Sequence, residues 1–291
     1  FIKIEDGCNS YCTYCIVPYA RGAVRSKAPH HVQSELQRLV DLGYREIVLT
    51  GIHTGLYGYD LKNTNLTELL HLLLAEVDGD YRLRLSSIEP LEVSPQLLDL
   101  VKREPRMCRH FHIPLQSGSN TVLKAMNRRY DRQYYRDLIL SIARQIPGVG
   151  ITADVMVGFP GESQEDFQAT YDLLAELPVA DLHVFKYSRR EGTPAALMSG
   201  QVEETLKQER SQLLLQLARE KHLQRLQDAY HEVLRVLVEE RIGEQAYSGL
   251  SDNYIEVKLE SCEDLRGTFV WACITGQEQG LAVGRVLDRQ V

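Results

Sequence analysis

Between residue 1 and about residue 188, short β-rich runs alternate with apolar residues at helical spacing, and that alternation fixes an architecture before any single residue is interpreted. The strand candidates are residues 1–4, 46–50, 82–86, 111–113, 152–157 and 182–187. Between them lie sets such as Val32, Leu36, Leu39 and Val40, or Leu66, Leu69, Leu70, Leu73 and Leu74. Strand-helix repetition of this kind implies an α/β fold in which a parallel sheet is covered by helices. Six strands predict a curved, partial (β/α)6 TIM-like barrel rather than a closed eight-stranded one. Its chemistry is expected at the C-terminal ends of the strands.

A different texture begins near residue 201. Residues 201–230 hold no Gly or Pro and place Leu206, Leu213, Leu214, Leu217 and Leu226 at helical spacing, which predicts one long helix. Short alternating runs follow at 233–239, 254–259, 268–274 and 281–287, broken by Gly243, Gly249, Gly267 and Gly280. They read as a small all-β barrel of about 60 residues. The expected division is 1–226 for the larger domain and 227–291 for the smaller, with the helix at 201–229 linking them. A length of 291 residues, 44% of them hydrophobic and 25% charged, suits one large core and a small one and argues against disorder.

No apolar run reaches the roughly 18 residues of a membrane span, and no signal-peptide layout opens the chain, so a cytoplasmic protein without membrane contact is expected. Phe1 is not a natural start, and Ile2 and Ile4 already alternate as in a strand, so an upstream segment is expected. The net charge of -7 argues against nucleic-acid binding over the whole surface but leaves local contact open.

The stretch CNSYCTYC carries three of the six cysteines, Cys8, Cys12 and Cys15, in the loop after the first strand. A C-x3-C-x2-C spacing lets three thiolates converge on one small volume. A structural zinc site uses four ligands, and His30 and His31, the nearest other candidates, fall at the start of a predicted helix. Three thiolates on a 4Fe-4S cluster leave one iron open to a substrate or cofactor. Spacing thus favours an iron-sulfur cluster, with zinc and no metal as alternatives. Cys108, Cys262 and Cys273 are scattered and are expected to be reduced, buried small apolar residues.

The same C-x3-C-x2-C loop defines the radical S-adenosylmethionine (SAM) superfamily, which this sequence resembles. The segments EDGCNSYCTYCIVPYARG, LTGIHTGLYG, HIPLQSGSN, VGFPGE and YSRREGTPAA resemble its methylthiotransferase family in content and order, and the terminal barrel resembles that family's RNA-binding TRAM domain. The resemblance implies a radical SAM barrel whose open iron binds SAM and whose 5'-deoxyadenosyl radical abstracts hydrogen before a methylthio group is inserted. It also implies a second 4Fe-4S cluster in an N-terminal domain that precedes Phe1, and an electron donor such as flavodoxin or ferredoxin. The segment Gly51-Ile52-His53-Thr54-Gly55 resembles the branch acting on N6-threonylcarbamoyladenosine at tRNA position 37, in the anticodon stem-loop. The alternatives are the isopentenyladenosine branch, a ribosomal-protein aspartate, or, in another class, a zinc-stabilised RNA-binding module.

Candidate SAM contacts are Thr50, Gly51, Ser87, Glu89, Gln116 and Asp154, at or just beyond strand ends. Glu89 could accept from the cofactor or cap the next helix, and Gln116 could bond the cofactor or its own turn. Tyr14 packs against the adenine or simply within its loop. Gly158 and Gly161 allow either a close adenine or a turn into a helix begun by Glu162. Arg190 corresponds to a family position expected to contact the carboxylate of SAM or of the substrate. Arg21, Arg25, Lys27, Arg128, Arg129 and Arg189 are expected to form a basic rim for RNA phosphates, against the default of solvated charge. In the small barrel, Tyr247, Tyr254, Phe269 and Trp271 could stack on RNA or lie in the core.

Overall fold

The computed structural model describes residues 1–287. Strand β1 (Ile2–Lys3) buries Ile2, and β2 (Glu5–Asp6) pairs antiparallel with β3 (Arg25–Ser26) across the cysteine loop and a short helix, α1 (Val17–Arg21). Helix-strand units follow: α2 (Pro29–Asp41) and β4 (Glu46–Thr50), α3 (Leu66–Glu76) and β5 (Arg82–Leu85), α4 (Pro95–Arg103) and β6 (His110–His112). Next come α5 (Asn120–Ala125) and α6 (Arg132–Gln145) before β7 (Gly150–Val157), then α7 (Gln164–Glu176) and β8 (Asp181–Lys186). Asn65, Ser94, Ser119, Asp131 and Ser163 cap five of these helices by accepting a backbone N–H of the first turn.

The strands form two three-stranded parallel sheets, β1-β4-β5 and β6-β7-β8. Isolated parallel bridges from Leu83 to Met107 and from Ser87 to His112 join them into one open, partial barrel in chain order. Every expected strand is present, with ends displaced by no more than a few residues. Alternation sends Ile47, Leu49, Leu83, Leu85, Phe111 and Ile151 into the core beneath the helices. The alternate positions make a polar lumen, where Glu46 binds Arg84 and Thr152 bonds both His110 and His112.

The long helix is α8 (Glu204–Asp228), shorter at both ends than the sequence pattern suggested. Gln201 lies outside it, and its amide donates to the carbonyls of Ala195 and Met198. Leu226 and Ala229 belong to the core of the small barrel, so α8 runs into that core.

The small barrel is closed, in the order β10-β11-β13-β12-β9. Its strands are β9 (Val233–Arg241), β10 (Ala246–Ser251), β11 (Glu256–Glu260), β12 (Phe269–Glu278) and β13 (Leu281–Val286). Strand β10 is additional to the four expected, because AYSGLS lacks the β-branched alternation that marks the others. Strand β11 begins at Glu256 because Tyr254 has φ 70°, a turn conformation. Residues 288–291 of the expected small domain lie outside the described residues.

Buried arginines fasten this barrel to the N-terminal ends of the parallel strands. Arg82 donates to the carbonyls of Arg235 and Leu250 at 3.0 and 2.7 Å, and Arg84 donates to that of Ser251 at 2.9 Å. Both are ion-paired with Glu46, and Arg109 pairs with Asp252 at 2.7 Å. Tyr254 stacks on His110 with centroids 4.2 Å apart.

Cys108 is buried as expected, but Cys262 is exposed and Cys273 half-buried. Cys262 lies in the turn after β11, where no core reaches it. Tyr247 is core and Trp271 exposed.

Candidate cofactor site

Three neighbours hold the cysteine loop at the C-terminal end of the parallel strands. The Cys8 N–H donates to the Gly22 carbonyl at 3.1 Å, and Asn9 Oδ1 accepts from the Val24 N–H. Thr13 N–H donates to the Met126 carbonyl and Thr13 Oγ1 to that of Ala125, fixing the loop on the end of α5. From the other side the Ala195 N–H donates to the Thr13 carbonyl. Asn127 Nδ2 donates to the Tyr11 carbonyl at 3.1 Å. The loop is thus hydrogen-bonded to its surroundings at both flanks and between the cysteines.

All three cysteines are free thiols. Among the described residues, the side chains of His112, Asp154 and His183 bring ligand atoms within 4.8 Å of one another. Hydrogen-bond donors face the cysteine sulfurs: Ser10 N–H lies 3.4 Å from Cys8 Sγ, and Arg128 Nη1 lies 3.3 Å from Cys12 Sγ. Burial alone would raise the Cys8 thiol, but its bonds to His53 and Ser10 bring it below the ordinary value. Cys15 is pushed up by burial.

A cavity of about 290 Å³ opens beside the loop, lined by Ser10, Cys12, His53, Glu89, Glu92 and Arg128 among others. Arg128 is placed here and not on the rim where the sequence reading put it. Its side chain is 5% exposed, ion-paired with Glu89 and beside the Tyr130 ring. The chain turns inward after α5, since the Arg128 N–H bonds the Leu123 carbonyl, and this carries the guanidinium under the loop. Glu89 therefore has a partner in the site, and its side chain does not cap the next helical turn.

His53 and Glu92 were not singled out as site residues from the sequence, yet both are largely buried in this cavity. His53 Nδ1 lies 3.3 Å from Cys8 Sγ and from Ser10 Oγ, while its Nε2 is bonded to Glu92 Oε1. Glu5 Oε2 accepts the His53 backbone N–H at 2.7 Å. Burial opposes charge on His53, but its bonds to Cys8 and Glu92 outweigh that and raise it to about 10. Burial also raises Glu5 and Glu92. The available signal was a histidine between two glycines, whose partners lie 45 and 39 residues away.

The other candidates are spread around the same end of the barrel. Thr50 closes β4, and a Cβ on Gly51 would lie 2.7 Å from Glu5 Oε2. The Ser87 carbonyl accepts from Thr54 Oγ1. Gln116, with φ 64°, bridges to Val155. Asp154 sits between His112 at 3.0 Å and His183 at 3.2 Å. Tyr14 packs with Val122, Met126 and Phe159. Gly158, with φ 72°, is crowded by Lys207, and its N–H donates to Glu162. The helix expected to begin at Glu162 instead begins at Gln164, because Ser163 and Asp166 form the capping box and Glu162 is buried against Arg210. Arg21, Arg25, Arg129, Arg189 and Arg190 are exposed, and Lys27 is paired with Glu35.

Residues 2–174 match the family model of the radical SAM superfamily. Over 273 residues the chain is 44% identical to the threonylcarbamoyladenosine tRNA methylthiotransferase MtaB of Bacillus subtilis, covering 92% of this chain and 60% of that protein. It is 39% identical over 291 residues to a tRNA-2-methylthio-N(6)-dimethylallyladenosine synthase of Natranaerobius thermophilus, covering 99% of this chain and 64% of that one. The chain thus spans less than two thirds of the length of these relatives. Among solved structures, the radical SAM enzyme HemN, coproporphyrinogen III oxidase of Escherichia coli, aligns with TM-score 0.54 at 16% identity over 96% of this chain and 69% of that one. The radical SAM methyltransferase TsrM of Kitasatospora setae aligns with TM-score 0.56 at 18% identity over 67% of this chain and 38% of that one. These two likenesses show the fold.

Proposed function

We propose that this chain, which belongs to the radical SAM superfamily, forms the radical-generating part of a tRNA methylthiotransferase acting on N6-threonylcarbamoyladenosine at position 37. The observation that carries the reading is the cavity where a free Cys12 thiol, the buried Arg128 guanidinium and Glu89 meet beside a three-cysteine loop. The identity to MtaB supports the substrate branch.

A 4Fe-4S cluster held by Cys8, Cys12 and Cys15, with SAM on its open iron, would supply one-electron cleavage of the sulfonium. In that arrangement Arg128 offers a fixed fork for the carboxylate of SAM, a role its burial suits better than the exposed Arg190. Glu89 can accept from a ribose hydroxyl or the amine, and Gly51 lets the backbone approach closely. Thr50, Ser87, Gln116, Asp154, Gly158 and Tyr14 would complete the cofactor's surroundings. Arg190 is then left for the substrate carboxylate. Arg21, Arg25, Arg129 and Arg189, with Lys27, would meet phosphates of the anticodon stem-loop, and the exposed Trp271 of the TRAM-like barrel could stack on a base. A ferredoxin or flavodoxin is the proposed electron donor. Sulfur insertion, through the second cluster, is assigned to the complete protein. No helix among the described residues is long and apolar enough to cross a membrane.

The test is anaerobic reconstitution of the full-length protein, a 5'-deoxyadenosine assay, and mass analysis of nucleosides from a deletion strain. Loss of 2-methylthio-N6-threonylcarbamoyladenosine alone supports the reading. Loss of the isopentenyl product instead moves the substrate, and unchanged tRNA rejects both.

A further inference from the structure

The geometry points to His53 as a positioning residue that donates an Nδ1–H hydrogen bond to the Cys8 sulfur of the cluster and, held by Glu92, raises the cluster's reduction potential. The inference rests on the cluster reading above and adds to it a role for a residue outside the cysteine motif.

The local sequence is built around this contact. In Gly51-Ile52-His53-Thr54-Gly55, each glycine leaves room for a carboxylate. A Cβ on Gly51 would press on Glu5, and one on Gly55 would overlap Glu92. Glu5 fixes the His53 backbone, and Glu92 fixes the far nitrogen of its ring. Thr54, bonded to the Ser87 carbonyl, ties the next residue to the neighbouring strand end. His53 is 7% exposed, so its ring has little freedom to turn away from Cys8.

The donor sense follows from the acceptor. A cysteine sulfur bound to iron has no proton and can only accept, so a ring nitrogen 3.3 Å away is favourable only when it carries hydrogen. One further proton between Nε2 and Glu92 satisfies the pair, whichever of the two holds it. This is the outer-shell arrangement by which carboxylate and histidine orient a metal's surroundings. An N–H donor to a cluster sulfur stabilises the added electron, which is why hydrogen bonds to the sulfurs help set cluster potentials.

The test is an EPR-monitored reductive titration of the reconstituted full-length protein, reading the cluster signal that Cys8→Ala abolishes, in wild type, His53→Leu, His53→Asn and Glu92→Gln. His53→Leu removes the donor, and at a fixed potential its ratio of reduced to oxidised cluster is expected to fall about three- to tenfold. His53→Asn, whose amide nitrogen can replace Nδ1, should recover most of that ratio, and Glu92→Gln should fall between. A merely structural role would lower iron content without moving the potential of the clusters that form. An unchanged potential in His53→Leu overturns the inference. Should that variant not hold iron, an unchanged potential in Glu92→Gln overturns it equally. A wild type with no cluster signal that Cys8→Ala abolishes rejects the cluster reading itself, and the inference with it.

Discussion

Arg128 touches Cys12: its Nη1 stands 3.3 Å from the thiol while the same guanidinium is ion-paired with Glu89. Burial opposes its charge, but Tyr130, Glu89, Tyr14 and Cys12 together keep it protonated. A cation held this way at the wall of the cavity is suited to a carboxylate. Arg128→Met is expected to weaken SAM binding to the reconstituted protein about ten- to a hundredfold, read by equilibrium binding. Arg128→Lys should recover only part, since one ammonium cannot reproduce the fork. Unchanged affinity in Arg128→Met would remove the residue from the cofactor site.

The junction between the two barrels gives a stability prediction. Arg82, Arg84 and Glu46 are nearly buried, and the arginines spend their remaining donors on carbonyls of the small barrel. Arg84→Met leaves Glu46 with one cation fewer and the Ser251 carbonyl without its donor. Breaking one partner of such a set costs about 3–5 kcal/mol. Urea unfolding should show that loss, with the small barrel becoming more open to proteolysis around residues 229–232 than in the parent protein.

The same set predicts acid sensitivity. Burial would raise Glu46, but Arg84 and Arg82 hold it below the ordinary value of 4.5. The unfolded chain therefore takes up this proton first. The stabilisation is complete above pH 4.5 and is lost as pH falls from there through the folded value. Glu46→Gln should be less stable at neutral pH and should flatten the stability profile below pH 4.5, measured by denaturation at a series of pH values. A profile of unchanged slope would argue against this coupling.

How much of this was readable before the coordinates depends on how local each cause is. The parallel strands were legible because their outward residues, such as Ile47 and Leu49, form apolar runs beside capped helices. Strand β10 was not, because Ser248 and Gly249 carry no strand preference and are held by neighbours from β9 and β11. In RLRL the two arginines alternate with core leucines, and what covers them is a barrel more than 150 residues further along. The cysteine motif stands out in the sequence because its three thiols fall within eight residues of one loop. Arg128 reads in the sequence, together with Arg129, as part of a basic rim, and only the turn after α5 separates the buried side chain of one from the exposed side chain of the other.

Thiol labelling separates the remaining cysteines. Cys108 is 2% exposed and pushed up to about 12 by burial, while Cys262 is exposed. Iodoacetamide at pH 8 should modify Cys262 in the native protein at least about tenfold faster than Cys108, with the difference lost in urea. Equal rates in the native state would contradict the burial of Cys108 beside Glu46.

Gly55 offers the sharpest steric test of the arrangement around His53. A methyl group there would overlap Glu92 at Oε2 and lies 2.7 Å from the Glu92 Cβ, so rotating the carboxylate alone cannot relieve it. Either Glu92 leaves the imidazole or the 3-10 turn Thr54–Leu56 shifts. Overpacking of this kind costs about 1–3 kcal/mol, and Gly55→Ala should lower the unfolding free energy by that amount. Glu92→Ala in the same background frees the space that the methyl group needs. The double variant should therefore be more stable than the sum of the two single losses, by more than the roughly 0.5 kcal/mol within which independent sites add. Simple additivity would mean that Gly55 and Glu92 do not compete for one volume, and that the glycine serves the turn alone.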